Sequence, residues 1–211
     1  MEIVWLGHSS LLIKGNSATV VTDPYPDSLG ISMGRPQADI VTISNSHPHH
    51  SSSEMVAGEP KVINGPGEYE ISNFYISGMA TRHHDHNGTR HINTVFTFRA
   101  EGLTLCHLGD LSDNLSPIQV DELNQTEVLF VPAGGNCTID ASKAIRFIRL
   151  IEPRIVIPIH YGMEGLNVEL DPLEKLLHEL GVTEYATQSR LSITSSNLPG
   201  ELRVVVLQKA T

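Results

Sequence analysis

The chain has no run of basic residues anywhere along its 211 positions, and its 14 Lys and Arg are outnumbered by 24 Asp and Glu, for a formal charge of −10. Nucleic-acid and anionic-membrane surfaces both need a basic patch, so neither partner is expected. Only two cysteines occur, Cys106 and Cys137, with no CxxC spacing. That argues against a disulfide framework and for free thiols in a reducing compartment. Cys137 follows a Gly-Gly turn and reads as a small loop or core residue. No apolar run approaches the ~18 residues of a membrane span. Met1-Glu2-Ile3-Val4-Trp5 shows no basic-then-apolar leader, so the expected location is cytoplasmic. Internal repeats and low-complexity tracts are missing too. The remaining picture, 40% hydrophobic residues, gives apolar mass for one domain over 1–211.

What the chain does have is histidine: eleven, of which seven lie between positions 47 and 91. Three fall within four residues in Ser44-Asn45-Ser46-His47-Pro48-His49-His50-Ser51, directly after the apolar run Ile40-Val41-Thr42-Ile43. A loop at a strand end is where a rigid sheet can hold side chains for chemistry, and imidazole is the commonest ligand for transition metals.

The first half reads as short strands. Segments 2–6, 9–14 and 18–22 suggest a β-meander, followed by 40–43, 61–63, 68–71 and 74–77. The 24–38 stretch, broken by Pro24, Pro26, Gly30, Gly34 and Pro36, is expected to be an irregular loop bordering a site. Ser53–Gly58 is at most a short helix. Thr81–Gly88 reads as a second histidine-rich loop, holding His83, His84 and His86. Thr94–Arg99 and Leu103–Leu108 form a hairpin around Glu101-Gly102 that runs out into Gly109-Asp110.

From there strand and helix alternate. Pro117–Asn124 is a helix that Ser116 can cap, and Val128–Val131 a buried strand. Asp140 caps a helix to about Ile151, with Ala144, Ile145, Ile148 and Ile151 on one face. Ile155–Ile159 is a buried strand ending at His160. Leu173–Leu180 is a helix opened by Asp171-Pro172 and stopped by Gly181, and strands near 191–194 and 202–207 close the chain.

Three strand ends thus deliver candidate ligands: His47, His49 and His50 from one, Asp110 from the next and His160 from the third. The 83–86 loop is a fourth source. Imidazoles and a carboxylate converging in this way suit Zn²⁺, with Mn²⁺ or Fe²⁺ as alternatives, at an open catalytic site. Taken singly, His8, His91, His107 and His178 read as ordinary solvated histidines and Asp110 as a turn residue. The joint pattern is what argues for a metal.

The order of these pieces resembles the small metallo-β-lactamase-fold hydrolases, in particular the compact bacterial group related to ascorbate-6-phosphate lactonases. The matching stretches are Trp5-Leu6-Gly7-His8-Ser9 with Thr22-Asp23-Pro24; Ala38-Asp39-Ile40-Val41-Thr42 leading into the histidine loop; and Gly65-Pro66-Gly67-Glu68-Tyr69. Further on come His107-Leu108-Gly109-Asp110, Val131-Pro132-Ala133-Gly134-Gly135 with Thr138-Ile139-Asp140, and Pro158-Ile159-His160-Tyr161. The resemblance implies an α/β fold, a four-layer αβ/βα sandwich.

It also implies a His-x-His-x-Asp-His signature, from which this chain departs. In register, Asn45 stands at the first His, His47 matches the second, His49 stands at the Asp and His50 matches the last His. By resemblance, the first two positions and a later His (here His83, or His84 if the loop shifts by one) hold one metal. The Asp position, His50 and His160 hold a second, and Asp110 bridges the two. An Asn45 amide is a poor zinc ligand, which weakens the first site; His49, His50, His160 and Asp110 would make a good second one. One or two ions are therefore expected, and a subclass of metallo-β-lactamases with Asn at the first position works with one.

Asp23 is expected to buttress the histidine loop, and His8 to reach the cavity to bind substrate or donate a proton. Tyr161 reads as a packing residue with a phenol near the site. The function expected is a metal-dependent hydrolase in which a metal-bound hydroxide, oriented by Asp110 as general base, attacks a small-molecule ester, lactone or phosphoester. The alternative is a catalytically degenerate metal- or ligand-binding domain on the same fold. A nuclease is disfavoured for want of a basic surface. The sequence is compatible with a homo-oligomer, and the 24–38 and 162–170 loops are expected to shape specificity.

Overall fold

The β-branched runs of the sequence form two sheets packed face to face in a computed structural model that describes residues 1–84 and 90–211, with side chains described for all of these but 83, 84 and 90. The strands are β1 (Glu2–Gly7), β2 (Ser10–Lys14), β3 (Thr19–Thr22), β4 (Ile40–Ile43), β5 (Lys61–Asn64), β6 (Gly67–Ile71), β7 (Phe74–His84) and β8 (Arg90–Ala100). They continue with β9 (Leu103–His107), β10 (Val128–Pro132), β11 (Ile155–Ile159), β12 (Thr187–Gln188), β13 (Leu191–Ser192), β14 (Arg203–Val204) and β15 (Val206–Leu207). The helices are α1 (Pro48–Ser51), α2 (Pro117–Glu122), α3 (Ala141–Ile151) and α4 (Leu173–Glu179).

One sheet has the order β13-β1-β2-β3-β4-β5, the other β14-β11-β10-β9-β8-β7-β6, and β12 pairs with β15. The meander β1-β2-β3 is antiparallel, whereas β3, β4 and β5 run parallel. In the second sheet β9, β10, β11 and β14 are parallel neighbours. Parallel strands send their carboxyl ends to the same edge, where open α/β sheets collect ligand-binding residues.

Alternation of side chains along each strand sorts the core into layers. Ile40 faces Ile13, Phe96, Phe98, Phe130 and Ile157 in the core between the sheets, while its neighbours Val41 and Ile43 face outward. The outer face of the second sheet is covered by α3 and α4, through Ala144, Ile145, Ile148 and Leu176 against Cys106, Leu129, Val131 and Val156. Asp140 caps α3 by accepting from the Lys143 N–H, and Ser116 caps α2 in a box with Gln119. The outer layer of the first sheet is thinner. There the 24–38 segment buries Tyr25, Leu29 and Met33 on Val21, Val41 and Ile43. Contrary to the expectation that it borders the site, this segment is not among the described residues that line the main cavity. Its apolar side chains are needed as a lid on the sheet, and its backbone instead supports the 162–170 loop, with the Asn167 N–H donating to Leu29 O at 2.8 Å.

Two further segments differ from expectation. The histidine loop is helical at 48–51, because Pro48 presets the first helical position and His47 caps it, its Nδ1 accepting from the His49 N–H at 3.2 Å. Thr81–His84 is strand, the end of an eleven-residue β7 paired with β8. The rest of that expected loop, 85–88, lies outside the described residues.

Candidate metal centre

The site forms where β4, β9 and β11 end. Asp23, just past β3, is fully buried and organises one side of it. Its Oδ1 accepts the Ser44 N–H at 2.8 Å; its Oδ2 accepts the Ser44 hydroxyl at 2.6 Å, lies 2.9 Å from His50 Nδ1, and accepts from Ser9 Oγ at 3.3 Å. With Nδ1 tied to a carboxylate, His50 turns Nε2 toward the cavity, 3.7 Å from Asp110 Oδ2. This carboxylate–imidazole pairing orients metal-ligating histidines and raises their basicity. Burial alone would raise the Asp23 carboxyl, but the His50 hydrogen bond, with His107 and Ser44, brings it below the ordinary range. Burial opposes charge on His50, yet Asp110 and Asp23 raise it above an ordinary imidazole. These contacts hold Asp23 against both Ser44 and His50 of the histidine loop.

Asp110 is placed from both sides. Gly109 holds φ +64°, and a Cβ there would lie 2.5 Å from both Asn93 Oδ1 and Ser44 Cβ. Asn93 accepts the Asp110 N–H at 2.9 Å while donating to Leu108 O and Thr81 Oγ1. Asp110 Oδ1 lies 3.4 Å from His160 Nδ1. Neither Ser44 nor Asn93 is marked by any sequence motif. Their importance rests on hydrogen bonds that join distant strands.

Asn45, at the signature's first position, lines the cavity with both ends of its amide engaged. Oδ1 accepts the His47 N–H at 2.8 Å, and Nδ2 donates to Asp110 Oδ2 at 3.3 Å. His47 is exposed at the rim. His49 is half-buried, packed on His47 with ring centroids 4.6 Å apart. Its imidazole is pushed down to about 4 by burial and by His47 and His50. Among the described residues His49 does not join His50, His160 or Asp110 in a cluster whose ligand atoms are mutually close. One turn of helix explains this: consecutive side chains point roughly 100° apart, so His50 goes in and His49 goes to the rim. The expected ligands His83 and His84 have side chains outside those described; the β7 backbone sets His83 opposite His91, which lines the cavity.

His8 is not the solvated residue its isolated sequence context suggests. It is buried, and its ring centroid lies 4.1 Å from that of His160 and 5.0 Å from that of His50. Ligand atoms of His8, His50 and His160 all lie within 4.8 Å of one another, as do those of Asp110, Cys137 and His160. Burial, then His160, His50, His49 and His47, push His8 well below the ordinary imidazole range. Each of these causes acts against a charge on the ring. Cys137, read from sequence as a loop or core residue, lines the cavity with Sγ 3.9 Å from His160 Nε2; burial and then Asp110 push its thiol up to about 12.

His107 also departs from the solvated reading. It is buried and used by the backbone, with Nε2 2.9 Å from Ser9 O and Nδ1 accepting the Gly109 N–H at 3.2 Å. Tyr161 packs on Trp5 at 5.0 Å and stays out of the cavity lining. His178 is exposed on α4, as expected.

The cavity over these groups has a volume of about 830 Å³ and takes part of its wall from Asn136, Val168 and Glu169, so the 162–170 loop does border the site. Residues 2–160 match the family described as a beta-lactamase superfamily domain. The chain belongs to the metallo-β-lactamase superfamily. This superfamily member is 30% identical over 186 residues to a UPF0173 protein of Pyrococcus abyssi, covering 78% of this chain and 85% of that one. It is 25% identical over 192 residues to a UPF0173 metal-dependent hydrolase of Carboxydothermus hydrogenoformans, covering 77% and 85%. Among solved structures, a Thermotoga maritima protein described as a Zn-dependent hydrolase of the same superfamily superposes with a TM-score of 0.80 at 34% identity, covering 98% of this chain and 97% of that one. The αβ/βα sandwich is thus the superfamily's fold, with its first outer layer reduced. No helix among the described residues is long and apolar enough to cross a membrane.

Proposed function

We propose that this protein is a metal-dependent hydrolase that uses a single divalent ion, held by His50, His160 and Asp110 with a further imidazole, to cleave an ester, lactone or phosphoester in a small molecule. The observation that carries the single-ion reading is the Asn45 amide: its oxygen is spent on the His47 N–H, so the first metal position lacks a donor there. The donor set that remains, imidazoles plus one carboxylate, suits zinc, with manganese or iron as alternatives. The ion supplies Lewis acidity and brings the pKa of a water down to about 7.

This chain's residues do the rest. Asp23 fixes the His50 ring so that Nε2 faces the cavity. Asp110, between His50 and His160, is placed to orient the attacking water and take its proton. Asn45 donates to Asp110 Oδ2, which restrains the carboxylate. Val168 and Glu169 stand at the wall where substrate would lie. The cavity volume lies in the range for small-molecule ligands. Two separate thiols fit a reducing, cytoplasmic setting.

The test is hydrolysis of ester, lactone and phosphoester panels by protein stripped with a chelator and then reloaded with Zn²⁺, Mn²⁺ or Fe²⁺. Turnover of one class that appears on loading, and falls at least ~10³-fold in His160→Ala, is expected. Metal uptake with no turnover would instead favour a binding domain that has lost its chemistry.

A further inference from the structure

We infer that His8 is a ligand of the metal, completing a His8–His50–His160 set with Asp110 in place of the carboxylate lost at position 49. The inference rests on the metal-site reading above and assigns to β1's exit a part that the histidine loop was expected to play.

Three observations carry it. Ligand atoms of His8, His50 and His160 are mutually within 4.8 Å, and all three residues are buried, whereas His49 forms no such cluster among the described residues. His8 Nδ1 is buried and has no hydrogen-bond partner among the described residues. A buried polar nitrogen left so is costly, typically by more than the bond it forgoes, and a cation shared with its neighbours would satisfy it. Finally, His8 is held from behind. Its carbonyl accepts the Trp5 indole N–H and the His160 backbone N–H, each at 2.9 Å, so two of the three imidazoles are fixed by one peptide bridge. Both residues sit at φ 50°, a left-handed conformation that a non-glycine residue adopts at a cost and that recurs at binding sites.

His8 touches the cavity lining and could alternatively contact substrate. A substrate contact would leave metal affinity intact, and that difference is measurable. Zn²⁺ affinity of the stripped protein should fall about 100-fold or more in His8→Asn, beyond the 10–100-fold typical of residues that only support a ligand. Asparagine is chosen because it tolerates positive φ. His49→Asn should change affinity less than about 3-fold, and the visible spectrum of bound Co²⁺ should change in the first variant only. Should His8→Asn fail to fold, ¹¹³Cd-loaded wild-type protein is expected to show metal coupling to a ring nitrogen of His8. Wild-type affinity in His8→Asn, equal losses in both variants, or absence of that coupling would overturn the assignment while leaving the hydrolase reading standing. A wild-type protein that takes up no metal would overturn both.

Discussion

An imidazole in this chain takes its role from what its two nitrogens meet. His50 gives Nδ1 to Asp23 and keeps Nε2 for the cavity. His8 is buried, and among the described residues nothing meets its Nδ1. His107 spends both nitrogens on the backbone, which fixes its neutral form: Nε2 must donate to Ser9 O, and Nδ1 must accept from Gly109. Burial is the main reason that His107 sits below the ordinary imidazole range, with Asp23 and the Ser9 bond opposing. A folded pKa below the unfolded value means that the unfolded chain binds more protons once the pH drops below about 6.5, so stability is lost on acidification. Urea unfolding in a chelating buffer should show stability falling from pH 7 to 5. The slope should be shallower in His107→Gln, by at most about 1.4 kcal/mol per pH unit for one proton. An unchanged slope would mean that this histidine takes up its proton in the fold without penalty.

At the scale of elements, the site is an edge where β4, β9 and β11 stop and three different devices take over. After β4, Pro48 and the His47 cap make a single helical turn that separates His49 from His50. After β9, Gly109 lets the chain turn against Asn93 and Ser44. After β11, His160 enters the left-handed region directly. The glycine is the most exacting of the three. Gly109→Ala should cost about 2–5 kcal/mol in denaturant unfolding, from left-handed strain and overpacking together. A cost below about 0.5 kcal/mol would show that the Asp110 turn is free to adjust. The strands themselves were legible, since Ile40–Ile43, Leu103–His107 and Ile155–Ile159 are apolar runs bounded by turn residues. The helical turn at 48–51 was not, because four residues are too few to show a helical period. Nor was the length of β7, whose last residues carry no apolar alternation and are strand because β8 pairs with them.

At the scale of the molecule, the superfamily and its sandwich could be read from motif order along the first 180 residues, and the matching family and the Thermotoga maritima structure agree with that reading. The ligand set could not be read with the same precision. A signature fixes where ligands sit in the chain, but which imidazole faces inward depends on contacts between residues far apart, such as the His160 N–H on the His8 carbonyl. For the same reason Ser44 and Asn93 stand out in no motif, although they hold Asp23 and Asp110. On the proposed single-ion reading, Asn45 has cost the fold its first metal position and the second remains. The direct measurement is Zn²⁺ bound per chain by elemental analysis, on protein made without a histidine tag, stripped, saturated and cleared of excess metal. One equivalent is predicted; two, or fewer than about 0.2, would contradict it.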